Sequence, residues 1–302
     1  MKKFFFFTML MALLISCKTT NQPTDQMVDV TVSFSGMDIQ VTPEYAPSRM
    51  PAESDNDADQ ARVKRIALSV YNTLDDKLVK TVVQNANVDP DDFGIIEMRI
   101  PVGSYKFVAV ADTSKSTDTI AVVNSISSVS FGSVIISNPT YTTVQEVIVE
   151  GNTTQNVIVE MGTRKNATFT VKITDKTPDE VDTFEVKVAP ESDVYTNLLV
   201  DPATGYASQQ WQYKKAVKIS DVGTITKKNF NIPLMLTASS QSVNVMLNAF
   251  DVNGDTLYTR TITDVPLQQG HRTVATGTFF SPEITTSFTF DVVEINDTIS
   301  LD

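Results

Sequence analysis

The chain has 302 residues, 41% of them hydrophobic, a formal net charge of −12, one cysteine and one histidine. A polyanionic surface with no basic stripe repels phosphate backbones, which excludes nucleic acid as a partner. The single histidine, His271 in a polar Gln-Gln-Gly-His-Arg turn, gives no basis for a Ser-His-Asp triad or a multi-histidine metal site and reads as a solvent-exposed loop residue.

In chain order, the first element is an export signal. Lys2 and Lys3 form a basic n-region, and Phe4 to Ile15 is an apolar run relieved only by Thr8. That run is too short to span a bilayer, so a cleaved signal over residues 1–16 is expected. Leu14-Ile15-Ser16-Cys17 resembles a lipobox, in which a diacylglycerol is attached to the cysteine sulfur. Lipidation of Cys17 predicts a protein tethered to the cell outer membrane. Cleavage removes two lysines and no acids, leaving 286 residues with a formal charge of −14. No thiol then remains for a disulfide or a metal, and the fold rests on apolar burial alone. Residues 17–27 are polar and aperiodic, a flexible tether.

Beyond the tether, apolar residues alternate with period two, as in strands with one buried face. Val28, Val30, Val32 and Phe34 form the first such series. Ile66, Leu68 and Val70 follow, then Ile96, Met98 and Ile100. Later series are Phe169, Val171 and Ile173; Phe184, Val186 and Val188; and Phe288, Phe290 and Val292. No segment of helical length sustains an i, i+3, i+4 pattern, so the fold is predicted to be all-β. Between the first two series, Val41 to Gln60 carries Pro43, Pro47, Pro51 and an acidic run, and reads as a long exposed loop.

A weak duplication organises these strands. Ile66 to Lys80 and Val245 to Thr259 each place an alternating strand before a short turn and a second strand. The Pro101-Val102-Gly103 corner has a counterpart in Pro266 to Gly270. The expectation is two tandem Greek-key β-sandwiches of transthyretin-like build, residues 28–163 and 164–302.

Three local patterns invite chemistry. Asp251-Val252-Asn253-Gly254-Asp255 misplaces the glycine of a calcium loop and has Ile262 where a bidentate glutamate is required, so it reads as a type I′ hairpin. Trp211 with Tyr206 and Tyr213 would suit either a sugar-stacking platform or a core. Thr119, Thr256 and Thr298 each sit in an Asp-Thr-apolar tripeptide that resembles an O-glycosylation acceptor and equally suits an unmodified turn. No cofactor, metal or catalytic residue is predicted.

The lipobox, the arginine-containing loop after the first strand, the two sandwiches and the segment His271 to Ser281 (HRTVATGTFFS) before Phe288-Thr289-Phe290 together resemble the fimbrillin family, subunits of type V pili of Bacteroidia. The resemblance implies a structural subunit or anchor of a surface pilus with a role in adhesion. Its partners would be other pilus subunits, the outer membrane through the lipid on Cys17, and a host or bacterial receptor. It further implies cleavage at Arg49, or alternatively at Arg62 or Arg65, which removes the first strand and opens a groove that a neighbouring subunit's strand fills. The donor segment would carry Phe288, Phe290, Val292 and Ile295. The competing reading is an outer-membrane glycan-binding lipoprotein, which requires Trp211, Tyr206 and Tyr213 on one exposed flat face.

Overall fold

The computed structural model describes residues 24–37, 63–88, 91–113, 121–132, 139–151, 153–194, 197–219, 223, 230–281 and 288–295. These residues form strands and no helix. The first group is β1 (Thr24–Ser35), β2 (Arg65–Asn72), β3 (Leu78–Asn85), β4 (Ile95–Asp112), β5 (Ala121–Ser125), β6 (Ser128–Gly132), β7 (Thr140–Val149) and β8 (Gln155–Glu160). The second is β9 (Ala167–Ile173), β10 (Thr183–Val188), β11 (Asn197–Val200), β12 (Tyr213–Lys218), β13 (Phe230–Leu234), β14 (Ser240–Phe250), β15 (Thr256–Gln268), β16 (His271–Gly277) and β17 (Thr289–Glu294). The all-β prediction holds, and the alternating residues of every series but the last turn into two hydrophobic cores, whereas Phe290 and Val292 of the last stay exposed.

Both halves pair their strands by one scheme. In the N-terminal half β1 lies between β4 and β8, and the second layer runs β3-β2-β4-β7. In the C-terminal half β9 lies between β13 and β16, and the second layer runs β12-β10-β14-β15. In each, the first strand runs parallel to the strand that follows it in its layer, β8 or β16. The two layers of each half bury their apolar faces against each other, as a sandwich must.

The scheme corrects the basis of the predicted duplication. The matched sequences are the β2–β3 and β14–β15 hairpins, which occupy different places: by pairing, β2 and β3 correspond to β10 and β12. Alternation and turn residues report a local hairpin, and they are blind to where the sheet receives it. The turn is also different from the one expected. Gly254 has a positive φ of 89° and Asn253 does not, whereas a type I′ turn needs both. Asp251 instead holds the loop, its Oδ1 accepting from the N–H groups of Asn253 (2.9 Å) and Asp255 (2.8 Å).

A sheet-switching corner distinguishes the halves. β4 runs unbroken through Pro101-Val102-Gly103, pairing with β1 before the corner and with β2 and β7 after it. The buried Tyr105 hydroxyl donates to Pro101 O at 2.7 Å, and a Cβ on Gly103 would lie 3.3 Å from that hydroxyl. In the C-terminal half the chain breaks into β13 and β14, and Tyr213 of β12 supports the break. Its hydroxyl donates to Met235 O (3.0 Å) and accepts from Met235 N–H (2.8 Å).

The halves are joined by more than the connecting chain. β11 pairs with β6, and Val129 and Phe131 of β6 pack into the C-terminal core. Between β8 and β9, Lys165 N–H donates to Thr140 O (2.8 Å), while Gly270 N–H, from within the C-terminal half, donates to Asn166 O (3.2 Å). The Asn166 side chain accepts from Thr140 N–H at 2.9 Å.

Candidate assembly site

β1 is a mid-sheet strand. Residues Met27–Ser33 pair antiparallel with Ile95–Pro101, and Val30–Ser35 pair parallel with Gln155–Glu160. Val28, Val30 and Val32 are buried, each worth about 1.5–3 kcal/mol of burial. Asp29 on the outer face meets Arg99 at 3.6 Å, an exposed pair that contributes little. Taking β1 away would therefore expose two main-chain edges and three apolar sockets at once. Such a groove is chemically suited to an extended strand with alternating apolar side chains.

Of the predicted processing sites, Cys17, Arg49 and Arg62 lie outside the described residues, as do Thr119 and Thr298. Arg65 is the first residue of β2 and only 3% exposed. Burial lowers its pKa and the charge of Asp112 pulls it back up. Its place in a paired, buried strand makes it unsuited to cleavage in the folded chain. Thr256 is exposed at the start of β15.

The predicted donor residues form the far edge of the C-terminal half. Among the described residues β17 pairs only with β16, Phe290 opposite Ala275 and Val292 opposite Thr273, and every residue of β17 is exposed. Phe288 is better held. It packs against the core, the Arg260 guanidinium stands 5.5 Å over its ring, and a Cβ at Gly277 would come within 2.9 Å of ring atoms. Ile295 N–H donates to Gly270 O at 3.1 Å.

The corner between β16 and β17 contains a residue that sequence reasoning missed. Asp175, just past β9, accepts from Phe279 N–H at 2.9 and 3.1 Å, from Phe280 N–H at 2.6 Å and from Ser281 N–H at 2.8 Å. Phe279 and Phe280 lie edge-on 4.8 Å apart, and Phe280 meets Tyr258 at 5.3 Å. A turn aspartate whose partners lie more than a hundred residues away leaves no local signal.

The stacking platform does not exist. Trp211 is 4% and Tyr213 6% exposed, their rings 5.8 Å apart within the C-terminal core. Burial pushes the Tyr213 hydroxyl above its ordinary pKa. Tyr206 alone is partly exposed. His271 is also corrected: it opens β16 half-buried, its Nδ1 2.9 Å from Gln269 O.

Comparison with known proteins identifies the build. Residues 21–259 match the family described as fimbrillin-A associated anchor proteins Mfa1 and Mfa2. No curated protein matches the chain in sequence. Among solved structures, a candidate polysaccharide-binding protein of Bacteroides thetaiotaomicron superposes with a TM-score of 0.52 at 12% identity, over 89% of this chain and 99% of that one. A candidate cell adhesion protein of Parabacteroides distasonis gives 0.52 at 10% identity, over 91% and 98%. The fimbrial anchor protein Mfa2 of Porphyromonas gingivalis gives 0.47 at 10% identity, over 88% and 97%. At these identities the likeness is one of fold.

Proposed function

The chain belongs to the fimbrillin-A associated anchor proteins, and from that membership we propose that it is a lipid-anchored fimbrial subunit that joins its neighbours by β-strand addition. Its role is structural, at the cell surface and in association with other fimbrial subunits. In the reading proposed, Cys17 carries the lipid that holds the chain to the outer membrane. Residues 28–163 form the unit that contains β1, and residues 164–302 the unit that ends in β17. The observation that carries strand addition is the position of β1, paired on both sides and buried through Val28, Val30 and Val32. Cleavage at Arg49 would sever it from β2, and a strand bearing the pattern of Phe288, Phe290 and Val292 would take its sockets. An uncut chain would keep its lipid and act as an anchor. A contribution to adhesion follows from placing the assembly at the surface.

The test is the mature N-terminus, read by mass spectrometry on protein from surface fractions. A diacylated Cys17 is expected for an anchor, and a start at Met50 together with SDS-resistant ladders for a polymerising subunit. A protein absent from fimbrial fractions, with Cys17 unmodified and Arg49 uncut, overturns the proposal.

A further inference from the structure

The C-terminal edge combines a corner held by several hydrogen bonds with a strand exposed along its whole length. Asp175 gathers three consecutive backbone N–H groups onto one carboxylate, and Arg260 Nη1 donates to Thr278 O at 2.6 Å. Three adjacent amides aimed at one point form an anion-binding concavity, here filled by the protein's own side chain. Beyond it, the six residues of β17 keep their ladder with β16, and among the described residues no other strand pairs with them. Local opening draws on strands with few buried apolar contacts and exposed hydrogen bonds, and β17 meets both conditions.

We propose that Asp175 is the positioning residue of the C-terminal strand: it fixes residues 279–281 as a rigid point of departure, so that β17 can leave β16 as a unit while the sandwich behind it stays closed. The carboxylate reaches from the end of β9, the central strand of its layer, so the anchor is seated in the most buried part of the half. The aromatic chain Phe230, Phe184, Phe279, with successive centroid separations of 4.6 and 5.2 Å, continues the anchor into the core. Phe288, between Arg260 and Gly277, sets the register in which β17 returns. The consequence for assembly rests on the strand-addition reading, but the device itself needs no partner.

Hydrogen exchange on the full mature chain tests it directly. In the wild type, β17 amides are expected to exchange at least about tenfold faster than those of β9 and β14. In Asp175→Ala, amides 279–281 and β17 speed up by about a further tenfold while β9, β10 and β14 stay unchanged. Asp175→Asn, which keeps an acceptor oxygen, is expected to restore most of the protection. Exchange that rises equally across β9, β10, β14 and β17 would make Asp175 an ordinary brace and overturn the proposal, as would no change at all. Should Asp175→Ala fail to fold, the same comparison is made between the wild type and Asp175→Ser, whose shorter side chain cannot reach the three amides together. Because no second subunit is present, strand addition can fail in the fimbrial fractions while this result stands, and the reverse.

Discussion

The N-terminal and C-terminal halves share a pairing scheme but finish their sheet edges differently. An unpaired edge is a template for another strand, so the manner of its protection shows where addition is discouraged. β3 carries a bulge at Val79, since Tyr71 pairs with Leu78 and Val70 with Lys80. β7 and β8 meet across a seam bridged by two glutamines. Gln145 donates to Ile158 O (2.8 Å) and accepts from Glu160 N–H (3.0 Å), while Gln155 donates to Ile148 O (2.8 Å) and accepts from Glu150 N–H (3.1 Å). Each side-chain amide imitates the backbone of an absent strand. In the C-terminal half β12 is lined by Lys214, Lys215 and Lys218, and β13 contains Pro233. At the place equivalent to the stapled β8 edge, β16 receives β17. One half seals that edge with side chains, and the other with a strand of its own.

The largest test of this comparison exchanges a buried valine for a charge in each central strand. Val30→Asp in β1 and Val171→Asp in β9 both bury an unpaired carboxylate, and each is expected to cost more than about 4 kcal/mol. Urea unfolding followed by probes in each half should show Val30→Asp melting β1–β4 and β8 first. Simultaneous loss of both halves would mean that the β5-β6-β11 sheet and the Met161–Asn166 junction weld them into one cooperative unit. A smaller effect separates the two corners. Tyr213→Phe strands a buried carbonyl and N–H on Met235 and is expected to cost about 2 kcal/mol, against about 1 kcal/mol for Tyr105→Phe, which loses a single bond. Equal midpoint shifts for the two would show the corners to be energetically alike.

Much of this was legible in particular residues and for definite reasons. The alternation Val28-Val30-Val32 marked β1 because one face is buried, and the fimbrillin resemblance is borne out by the family match. The Pro101–Gly103 corner was visible, although not that β4 continues through it to Asp112. Trp211 stayed open between surface and core because its glutamine neighbours suggest a surface, while burial is decided by tertiary packing of a segment with no periodicity. Gln145, Gln155 and Asp175 were invisible for a common reason. Each acts on backbone brought close by the fold, and no spacing in the chain encodes that.

A third test concerns the staples. Gln145→Ala and Gln155→Ala are each expected to cost about 1 kcal/mol, since each deletes two partly solvated hydrogen bonds. Faster amide exchange at Glu160 for the first and at Glu150 for the second is the specific signature. If the staples also guard against edge pairing, the double variant should elute at a larger, concentration-dependent mass, with no such change for substitutions on β12.

The smallest expected effect concerns how the lysines of β12 are held. Glu185 on β10 is buried, with Lys214 at 2.5 Å, Lys187 at 3.0 Å and Asn248 Nδ2 donating to it at 3.0 Å. Burial alone would raise its carboxyl, but Lys214, Asn248 and Lys187 together hold it below the ordinary range. A carboxyl depressed in the folded state contributes stability above its unfolded pKa of about 4.3 and loses it as pH falls through the folded value. Glu185→Gln should therefore lower the urea midpoint at pH 7, by an amount that shrinks as pH falls through the depressed folded value, where the wild-type carboxyl becomes protonated too. A difference that stays constant across that range would assign the loss to packing, and the charge on Glu185 would then have no part in ordering the β12 edge.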